Sequence, residues 1–237
     1  MSLGREVREK AARLGIELPV EAEMLFNKHA VLLEEWNRLM NLTRIPEEEM
    51  ADKHFLDSVS VLVVPQIRRA VRVIDIGSGA GFPGIPLKSA CPEMHITLVD
   101  SLGKRVKFLE AVVDKLGFEN AVCLHGRAEE LGQAPEHREK YDAALARAVA
   151  GLPVLCEYLL PLVRVGGTAA AMKGPGGRGE VEEASKALQT LGGEVVDIVE
   201  ITLPSGDQRQ IIVMEKVSST PREYPRRPGI PQKRPLV

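Results

Sequence analysis

The sequence predicts an α/β fold in which a mainly parallel β-sheet carries helices on both of its faces. Two observations support this prediction. The short apolar run at 71–76 is followed directly by a glycine-rich loop and then by a helical pattern. Strand and helix patterns then alternate along the chain, which is typical of parallel strands joined by helical crossovers. Ligands bind such sheets at the carboxyl ends of the strands, so functional residues are expected there.

An all-helical extension is predicted in front of the sheet. Apolar residues recur at helical spacing in three stretches, at 5–14, at about 19–40 and at 46–57. Pro46 and the acidic residues after it fit the first turn of the third helix, where proline and negative charge are favoured. We therefore divide the chain into a helical extension over 1–65, a sheet domain over 66–217 and a tail over 218–237.

Five strands should alternate with helices before the chain ends its sheet in an antiparallel hairpin. The strands are predicted at 71–76, 95–100, 121–125, 141–146 and 166–172. The intervening helices are predicted near 81–90, 103–117, 127–132, 151–160 and 178–191. The hairpin should follow, with strands at about 194–203 and 209–217 around the turn at 204–207.

Composition excludes several classes of protein. The 237 residues carry a net charge of −2, so the chain is not a globally basic nucleic-acid binder. No apolar run approaches the roughly 20 residues of a membrane span, and the N-terminus has no signal-peptide pattern. Three widely spaced cysteines form neither a disulfide framework nor a metal site. We expect a cytoplasmic monomer without a metal.

The glycine loop indicates which cofactor the sheet holds. An acidic residue on the strand, Asp75, is followed by glycines at every second position, Gly77, Gly79 and Gly81. This arrangement is typical of S-adenosylmethionine (AdoMet) methyltransferases, in which the loop approaches the cofactor closely and carboxylates bind its ammonium and hydroxyl groups. A dinucleotide pattern can be fitted only two residues later and then contains Pro83. A nicotinamide or flavin cofactor and a ligand-free structural turn remain the alternatives.

Side chains at the four further strand ends complete the predicted site. Asp100 should accept hydrogen bonds from the ribose hydroxyls, unless it only caps the next helix. Ala128 is small enough to admit an adenine ring, unless it is a plain helix start. Arg147 and Lys173 are candidate catalytic residues that face one cleft. Arg147 could hold the AdoMet carboxylate or a phosphate.

The alternative for Arg147 is a structural ion pair with Asp142 or Asp75. His54 and Asp57 are one helical turn apart, a spacing that more often indicates an ordinary hydrogen bond than a general base. No convincing catalytic triad is present.

The C-terminal tail is the most basic part of the chain. Residues 216–237 contain six basic side chains and one acidic side chain, whereas residues 1–65 contain eight basic and twelve acidic ones. The stretch 221–235 lacks a core pattern and should be extended. Its cations are candidate contacts for RNA phosphate, with a solvated terminus as the alternative: Arg222, Arg226, Arg227, Lys233 and Arg234.

The chain resembles the RsmG family, formerly called glucose-inhibited division protein B, whose members are 16S rRNA guanine-N7 methyltransferases. The matching stretches lie between residues 36 and 236 and are WNRLMNLTRI, KHFLDSV, VIDIGSGAGFPGIPLK, VDSLGKRVKFLE, GRAEEL, ARAVAGLPVL, MKG and YPRRPGIPQKRPL. The resemblance implies a Rossmann-like class I methyltransferase fold. It also implies that the substrate is a guanine in the decoding-region hairpin of small-subunit rRNA. The cofactor contacts that it implies are Gly77, Phe82, Ala128, Glu129 and Arg147, with Asp100 near the ribose.

Two other functions are compatible with parts of the sequence. One is an AdoMet methyltransferase that acts on a protein or a small molecule, which the basic tail argues against. The other is a non-catalytic, ribosome-associated module that keeps the fold, which the intact glycine loop and Asp100 argue against.

Overall fold

A computed structural model describes all 237 residues, and its centre is a seven-stranded sheet. The strands are β1 (Arg72–Ile76), β2 (His95–Asp100), β3 (Ala121–His125), β4 (Tyr141–Arg147), β5 (Val163–Lys173), β6 (Gly193–Thr202) and β7 (Gln208–Lys216). Their order is β3-β2-β1-β4-β5-β7-β6. Strands β1 to β5 pair in parallel, while β7 runs antiparallel to β5 and β6. The predicted α/β fold with a closing hairpin is therefore confirmed.

Eleven α-helices surround and precede the sheet. They are α1 (Leu3–Arg13), α2 (Glu21–Met40), α3 (Asp57–Val59), α4 (Pro65–Arg68), α5 (Gly84–Ala90), α6 (Gly103–Leu116), α7 (Ala128–Leu131), α8 (Leu152–Leu159), α9 (Glu180–Glu183), α10 (Ser185–Leu191) and α11 (Ile230–Lys233). A π-helical segment, Ala51–Leu56, leads into α3. None of the helices is both long and apolar enough to cross a membrane.

Two apolar cores lie on opposite faces of the sheet, because alternate strand residues point to opposite faces. In β1, for example, Val73 belongs to one core and Ile74 to the other, and both are fully buried. Strand β4 contributes only small side chains and Leu145 between Ala143 and Ala146, all of them fully buried. The carboxyl end of β4 is thereby held firmly in the centre of the sheet.

The helical extension shares the larger of the two cores with the sheet domain. Phe26 and Leu33 of α2 are fully buried in the same cluster as Leu98 of β2 and Phe108 of α6. The ring of Phe26 also packs against that of Phe55, with centroids 5.5 Å apart. The extension is consequently packed as a continuous part of the domain, next to the glycine loop.

The tail differs from the extended segment predicted at 221–235. It contains the short helix α11, and the side chains of Pro225 and Pro231 are buried against the sheet domain. A hypothetical side chain at Gly132 would lie 2.7 Å from Pro225, so glycine is needed for this close approach. Prolines can bury a rigid apolar ring without helical or strand periodicity, which is why the sequence pattern did not reveal this packing.

Candidate functional site

Two cavities lie at the carboxyl ends of the parallel strands, on either side of the end of β4. We call the first the β1–β3 cleft, because its floor is formed where β1, β2 and β3 end. Its lining includes Gly77, Asp100, Gly126, Ala128, Glu129 and Gln232. We call the second the β4–β5 cavity, and its lining includes Lys53, His54, Asp57, Arg147, Lys173 and Arg209.

The glycine loop forms one wall of the β1–β3 cleft with exposed backbone. Gly77 and Gly79 have φ angles of 75° and 58°, which side chains rarely adopt. A side chain at Gly77 would come within 2.7 Å of Val149, whereas nothing lies closer than 3.8 Å to the corresponding point at Gly79. The loop therefore leaves open space that a ligand can enter against the main chain.

Asp100 joins this loop to helix α6. Its carboxylate accepts hydrogen bonds from the N–H groups of Gly79 at 3.0 Å and Leu102 at 2.9 Å, and Arg105 lies 3.4 Å away. Asp100 lines the cleft, and its contact with Leu102 lies just before α6, which has no side-chain cap of its own. A carboxylate has about four lone-pair sites, so capacity for a ligand hydroxyl remains.

Ala128 and Glu129 form the opposite wall of the cleft at the start of α7. The Ala128 side chain is small and buried, which keeps this wall flat. The Glu129 carboxylate is also buried, and its Oε1 accepts a hydrogen bond from the N–H of Gly229 at 2.9 Å. The tail thus engages one carboxylate oxygen of Glu129, a residue that also lines the cleft.

Asp75 and Phe82 lie beneath the loop and do not line the cleft. Asp75 is fully buried and accepts a hydrogen bond from the N–H of Gly84 at 3.0 Å, while its Oδ1 has no partner. Burial raises the pKa of Asp75 to about 6. The Phe82 ring is stacked between His29 and His54, at centroid distances of 4.8 Å and 4.3 Å. Both predicted contact residues therefore support the loop from below.

The residues of the β1–β3 cleft fit AdoMet. The ribose of the cofactor carries hydroxyl groups, from which a carboxylate such as Asp100 can accept hydrogen bonds. Its adenine ring is flat, so it can lie against a wall of small residues. It also lacks the pyrophosphate that a dinucleotide loop must bind at a helix N-terminus. Gly77 brings the main chain of the loop to the cleft, which allows the close approach that such a ligand needs.

Arg147 is the central cation of the β4–β5 cavity. This cavity measures about 420 Å³, within the usual range of about 300–1,000 Å³ for ligand pockets. The Arg147 guanidinium donates to the carboxylate of Asp57 at 2.8 Å and to the carbonyl of Lys53 at 3.1 Å. It also lies 5.2 Å from the centre of the Phe82 ring. Its structural partner is therefore Asp57, and neither Asp142 nor Asp75 takes that role.

Positive charge exceeds negative charge in this cavity. Asp57 is 5% exposed and is shared by two guanidinium groups, because Arg209 also donates to it at 2.9 Å. Lys173 pairs with Glu180 at 2.9 Å and donates to the carbonyl of Ala150. One buried carboxylate for two arginines leaves one positive charge uncompensated, so the cavity suits an anion or an electron-rich base.

His54 is neutral in this environment. Its Nδ1 faces the guanidinium of Arg147 at 3.3 Å and can only accept, so its Nε2 carries the proton and donates to Thr43 at 2.7 Å. Burial and the charge of Arg147 lower the pKa of His54 to about 3. A group that is so weakly basic and already hydrogen-bonded at both nitrogens is poorly suited to proton abstraction.

The two cavities are separated only by the end of β4 and the residues that follow it. Arg147 and Ala148 line the β4–β5 cavity, while the next residue, Val149, lines the β1–β3 cleft. Ala148 has a φ of 56°, an uncommon conformation for a residue with a side chain. Such strain is often found at functional sites, and here it turns consecutive residues toward different cavities.

The tail cations fall into two groups. Arg222, Arg227, Lys233 and Arg234 are exposed and form no ion pair. Arg226 differs, because its guanidinium forms hydrogen bonds at 2.6–3.1 Å with Glu157, whose side chain is 1% exposed. Arg226 is therefore committed to holding the tail in place, and the predicted phosphate contact is left to the other four residues.

Two lining residues were missed at the level of sequence. Arg209 lies near the start of β7 and donates a hydrogen bond to Asp57, which is 152 positions away in the sequence. No local pattern could indicate this contact. Gln232 lies in a segment without periodicity, so its return to the β1–β3 cleft had no signal. His54 and Asp57 were recognised as a pair, and the structure adds that both face a cavity.

Solved structures with a similar fold include methyltransferases. The O-methyltransferase TomG from Streptomyces achromogenes, solved in complex with S-adenosylmethionine, superposes with a TM-score of 0.58 at 14% identity and covers 92% of this chain and 100% of that one. A variant of the 16S rRNA adenine-N1 methyltransferase from Catenulisporales acidiphilia gives a TM-score of 0.52 at 16% identity, covering 65% of this chain and 89% of the other. The fold is therefore the Rossmann-like fold of AdoMet-dependent methyltransferases.

The particular family follows from sequence similarity. A family model described as GidB, rRNA small subunit methyltransferase G, matches residues 22–212, and the chain belongs to this family. The Ribosomal RNA small subunit methyltransferase G of Alkaliphilus metalliredigens is 51% identical over 218 residues, which is 91% of each chain. The protein of the same name from Desulforamulus reducens is 47% identical over 233 residues, or 98% of this chain and 97% of the other.

Proposed function

We propose that this chain transfers the methyl group of AdoMet to N7 of a guanine in the 16S rRNA of the small ribosomal subunit. The observation that supports this most directly is the arrangement of the two cavities. Consecutive residues line the two cavities, since Arg147 and Ala148 line the cationic one and Val149 lines the cleft assigned to the cofactor. Donor and acceptor bound in neighbouring sites are held in the orientation that a direct displacement requires.

The site is suited to methylation of an atom that has no proton to lose. Guanine N7 carries an in-plane lone pair and no hydrogen, so no general base is needed. This agrees with the neutral, weakly basic state of His54, whose pKa is about 3. The bound cofactor supplies the sulfonium methyl group, and the role of the protein is to align the base and exclude water.

The cations of the β4–β5 cavity should orient the nucleotide. Arg147 lines this cavity, and its ion pair with Asp57 at 2.8 Å fixes the position of its guanidinium. An arginine or lysine often binds N7 and O6 of guanine together, but here N7 must stay free for the methyl donor. We therefore assign Arg147 and Lys173 to phosphate or to the O6 side of the base.

Arg222, Arg227, Lys233 and Arg234 should extend this contact along the RNA backbone. Their test is the salt dependence of RNA binding. Replacing the last three by glutamine should lower the slope of the affinity against salt by roughly 2 units, at about 0.7 per single-strand phosphate. The control is Lys115→Gln, at an exposed position of α6. An unchanged slope in the triple variant would remove the tail from the RNA contact.

Two other substrates are separated by one transfer experiment. Purified protein is incubated with tritiated AdoMet and with small subunits, naked 16S rRNA or total cellular protein, and the labelled nucleosides are identified by mass spectrometry. We expect N7-methylguanosine in the RNA. Label in protein or in small molecules would support the alternative methyltransferase. No label with any substrate, while AdoMet still binds, would support a non-catalytic, ribosome-associated module.

Cellular location and oligomeric state form part of the proposal. An enzyme that acts on ribosomal RNA should work where ribosomal subunits are assembled, in the cytoplasm. Both cavities are lined by one chain, so we expect a monomer to be active. Equal specific activity across a dilution series is the expected result.

A further inference from the structure

The tail is fixed to the sheet domain by buried polar contacts, and one of its residues reaches the β1–β3 cleft. Glu157 of α8 is fully buried, and its carboxylate accepts hydrogen bonds from the backbone N–H of Arg226 at 2.7 Å and from the guanidinium of the same residue. Arg138 donates to the carbonyls of Thr220 at 2.6 Å and Tyr224 at 2.7 Å. A buried carboxylate with a charged partner restricts motion strongly, because breaking the pair leaves an uncompensated charge.

A further contact holds the tail against Glu129, which lines the cleft. The N–H of Gly229 donates to Oε1 of Glu129 at 2.9 Å, immediately before α11 begins. Gly229 has a φ of 82°, which allows the chain to turn into the helix. Pro231 is then buried, and the next residue, Gln232, forms part of the cleft lining together with Gly126 and Ala128.

We propose that Gln232 is a cofactor-binding residue, which hydrogen-bonds the adenine of AdoMet from the tail. Gln232 lines the same cleft as Gly126 and Ala128, beside which the adenine is expected. A carboxamide carries both a donor and an acceptor, and this pair matches the amino group and a neighbouring ring nitrogen of adenine. Asp100 serves the ribose, and no other neutral amide lines the cleft. This inference rests on the proposed placement of AdoMet.

The first measurement is the affinity for S-adenosylhomocysteine, determined by calorimetry on the full chain. Gln232→Ala should bind about 3- to 10-fold more weakly, the range expected for one net hydrogen bond. The matched control is Gln189→Ala, the same change at an exposed position of α10 outside the cleft. The melting temperature without ligand should be the same in all three proteins, because the Gln232 side chain is exposed.

A second ligand separates direct contact from a merely structural role. The second ligand is an analogue of S-adenosylhomocysteine in which hydrogen replaces the 6-amino group of adenine. This change removes the N–H donor from which the carboxamide oxygen of Gln232 would accept a hydrogen bond. The wild-type protein should lose affinity for this analogue, and Gln232→Ala should lose at least about threefold less, because the contact is already absent. An equal loss in both proteins would show that Gln232 does not touch the adenine and would overturn the inference.

The inference and the proposed function can fail separately. If wild-type protein binds S-adenosylhomocysteine and Gln232→Ala binds it equally well, only the role of Gln232 is wrong. If the coupling to the 6-amino group is found but no methyl group reaches rRNA, the role of Gln232 stands and the proposed substrate is wrong. If the wild-type protein binds neither ligand, both are wrong.

Discussion

Removing the charge of Asp57 tests how the β4–β5 cavity is organised. This carboxylate is the shared partner of Arg147 at 2.8 Å and Arg209 at 2.9 Å. Breaking a fully buried ion pair costs about 3–5 kcal/mol. The two arginine side chains are 14% and 22% exposed and can regain some hydration, so we expect Asp57→Asn to cost about 2–3 kcal/mol. In a chain of this size that corresponds to a fall in melting temperature of about 5–10 °C.

The same substitution should also slow methyl transfer, because Arg147 loses the group that fixes its direction. A small displacement of a positioned group can reduce a rate by up to about 10²-fold, so we expect at least a tenfold loss in kcat/KM. AdoMet affinity should change little, since Asp57 does not line the β1–β3 cleft. The free energy of unfolding is measured by urea unfolding, and activity is measured by single-turnover transfer to small subunits. The control is Asp114→Asn, at an exposed position of α6.

A double variant makes the reasoning refutable. If Asp57 holds Arg209 as the structure indicates, adding Arg209→Gln to Asp57→Asn should restore part of the lost stability, because one uncompensated charge is removed. Purely additive costs would contradict a shared carboxylate. A single variant Asp57→Asn with the stability and the transfer rate of the Asp114 control would refute the proposed organisation of the cavity.

Two further predictions concern the cofactor cleft and the buried titratable groups. Asp100→Ala should weaken AdoMet binding about 10- to 100-fold, the scale of a charged hydrogen bond of about 1.5–3 kcal/mol, and unchanged calorimetric affinity in a folded variant would remove Asp100 from the site. Burial lowers the pKa of His29 from 6.5 to about 4 and that of His54 to about 3. As the pH falls below 6.5, the unfolded chain therefore takes up two more protons at these histidines than the folded chain does, and the free energy of unfolding decreases. The raised pKa of Asp75, about 6, opposes this with one proton, which leaves a slope of about 1 kcal/mol per pH unit between pH 6 and 4. Urea unfolding at several pH values measures the slope, and constant stability across this range would contradict the burial of the histidines.

The sheet was predictable because its information is local. Apolar strands such as β1 and the glycine loop after it carry period and composition in a few consecutive residues. The chain order of strands and helices then restricted the topology, since parallel crossovers are almost always right-handed and most consecutive strands are neighbours. The ends of β2 and β4 could therefore be chosen as functional positions, and Asp100 and Arg147 both line cavities there.

Contacts between distant segments could not be predicted in this way. The structural alternative considered for Arg147 was an ion pair with Asp142 or Asp75, but its partner Asp57 comes from the extension, 90 positions away. The tail was expected to be extended because prolines give no periodic pattern, although Pro225 is buried. In both cases the decisive quantity is burial of one segment against another, which composition and spacing within a single segment do not encode.

The helical extension supports the glycine loop from the side opposite the cleft. His29 of α2 is fully buried, and its Nε2 is 2.9 Å from the carbonyl of Ala80 in that loop. Because burial keeps the imidazole neutral, Nε2 can carry the proton and donate it to this carbonyl. The opposite face of Phe82 is covered by His54, which also contacts Arg147. One stack of three rings therefore links the extension, the glycine loop and the β4–β5 cavity, so the packing of the extension fixes these two parts of the molecule relative to each other.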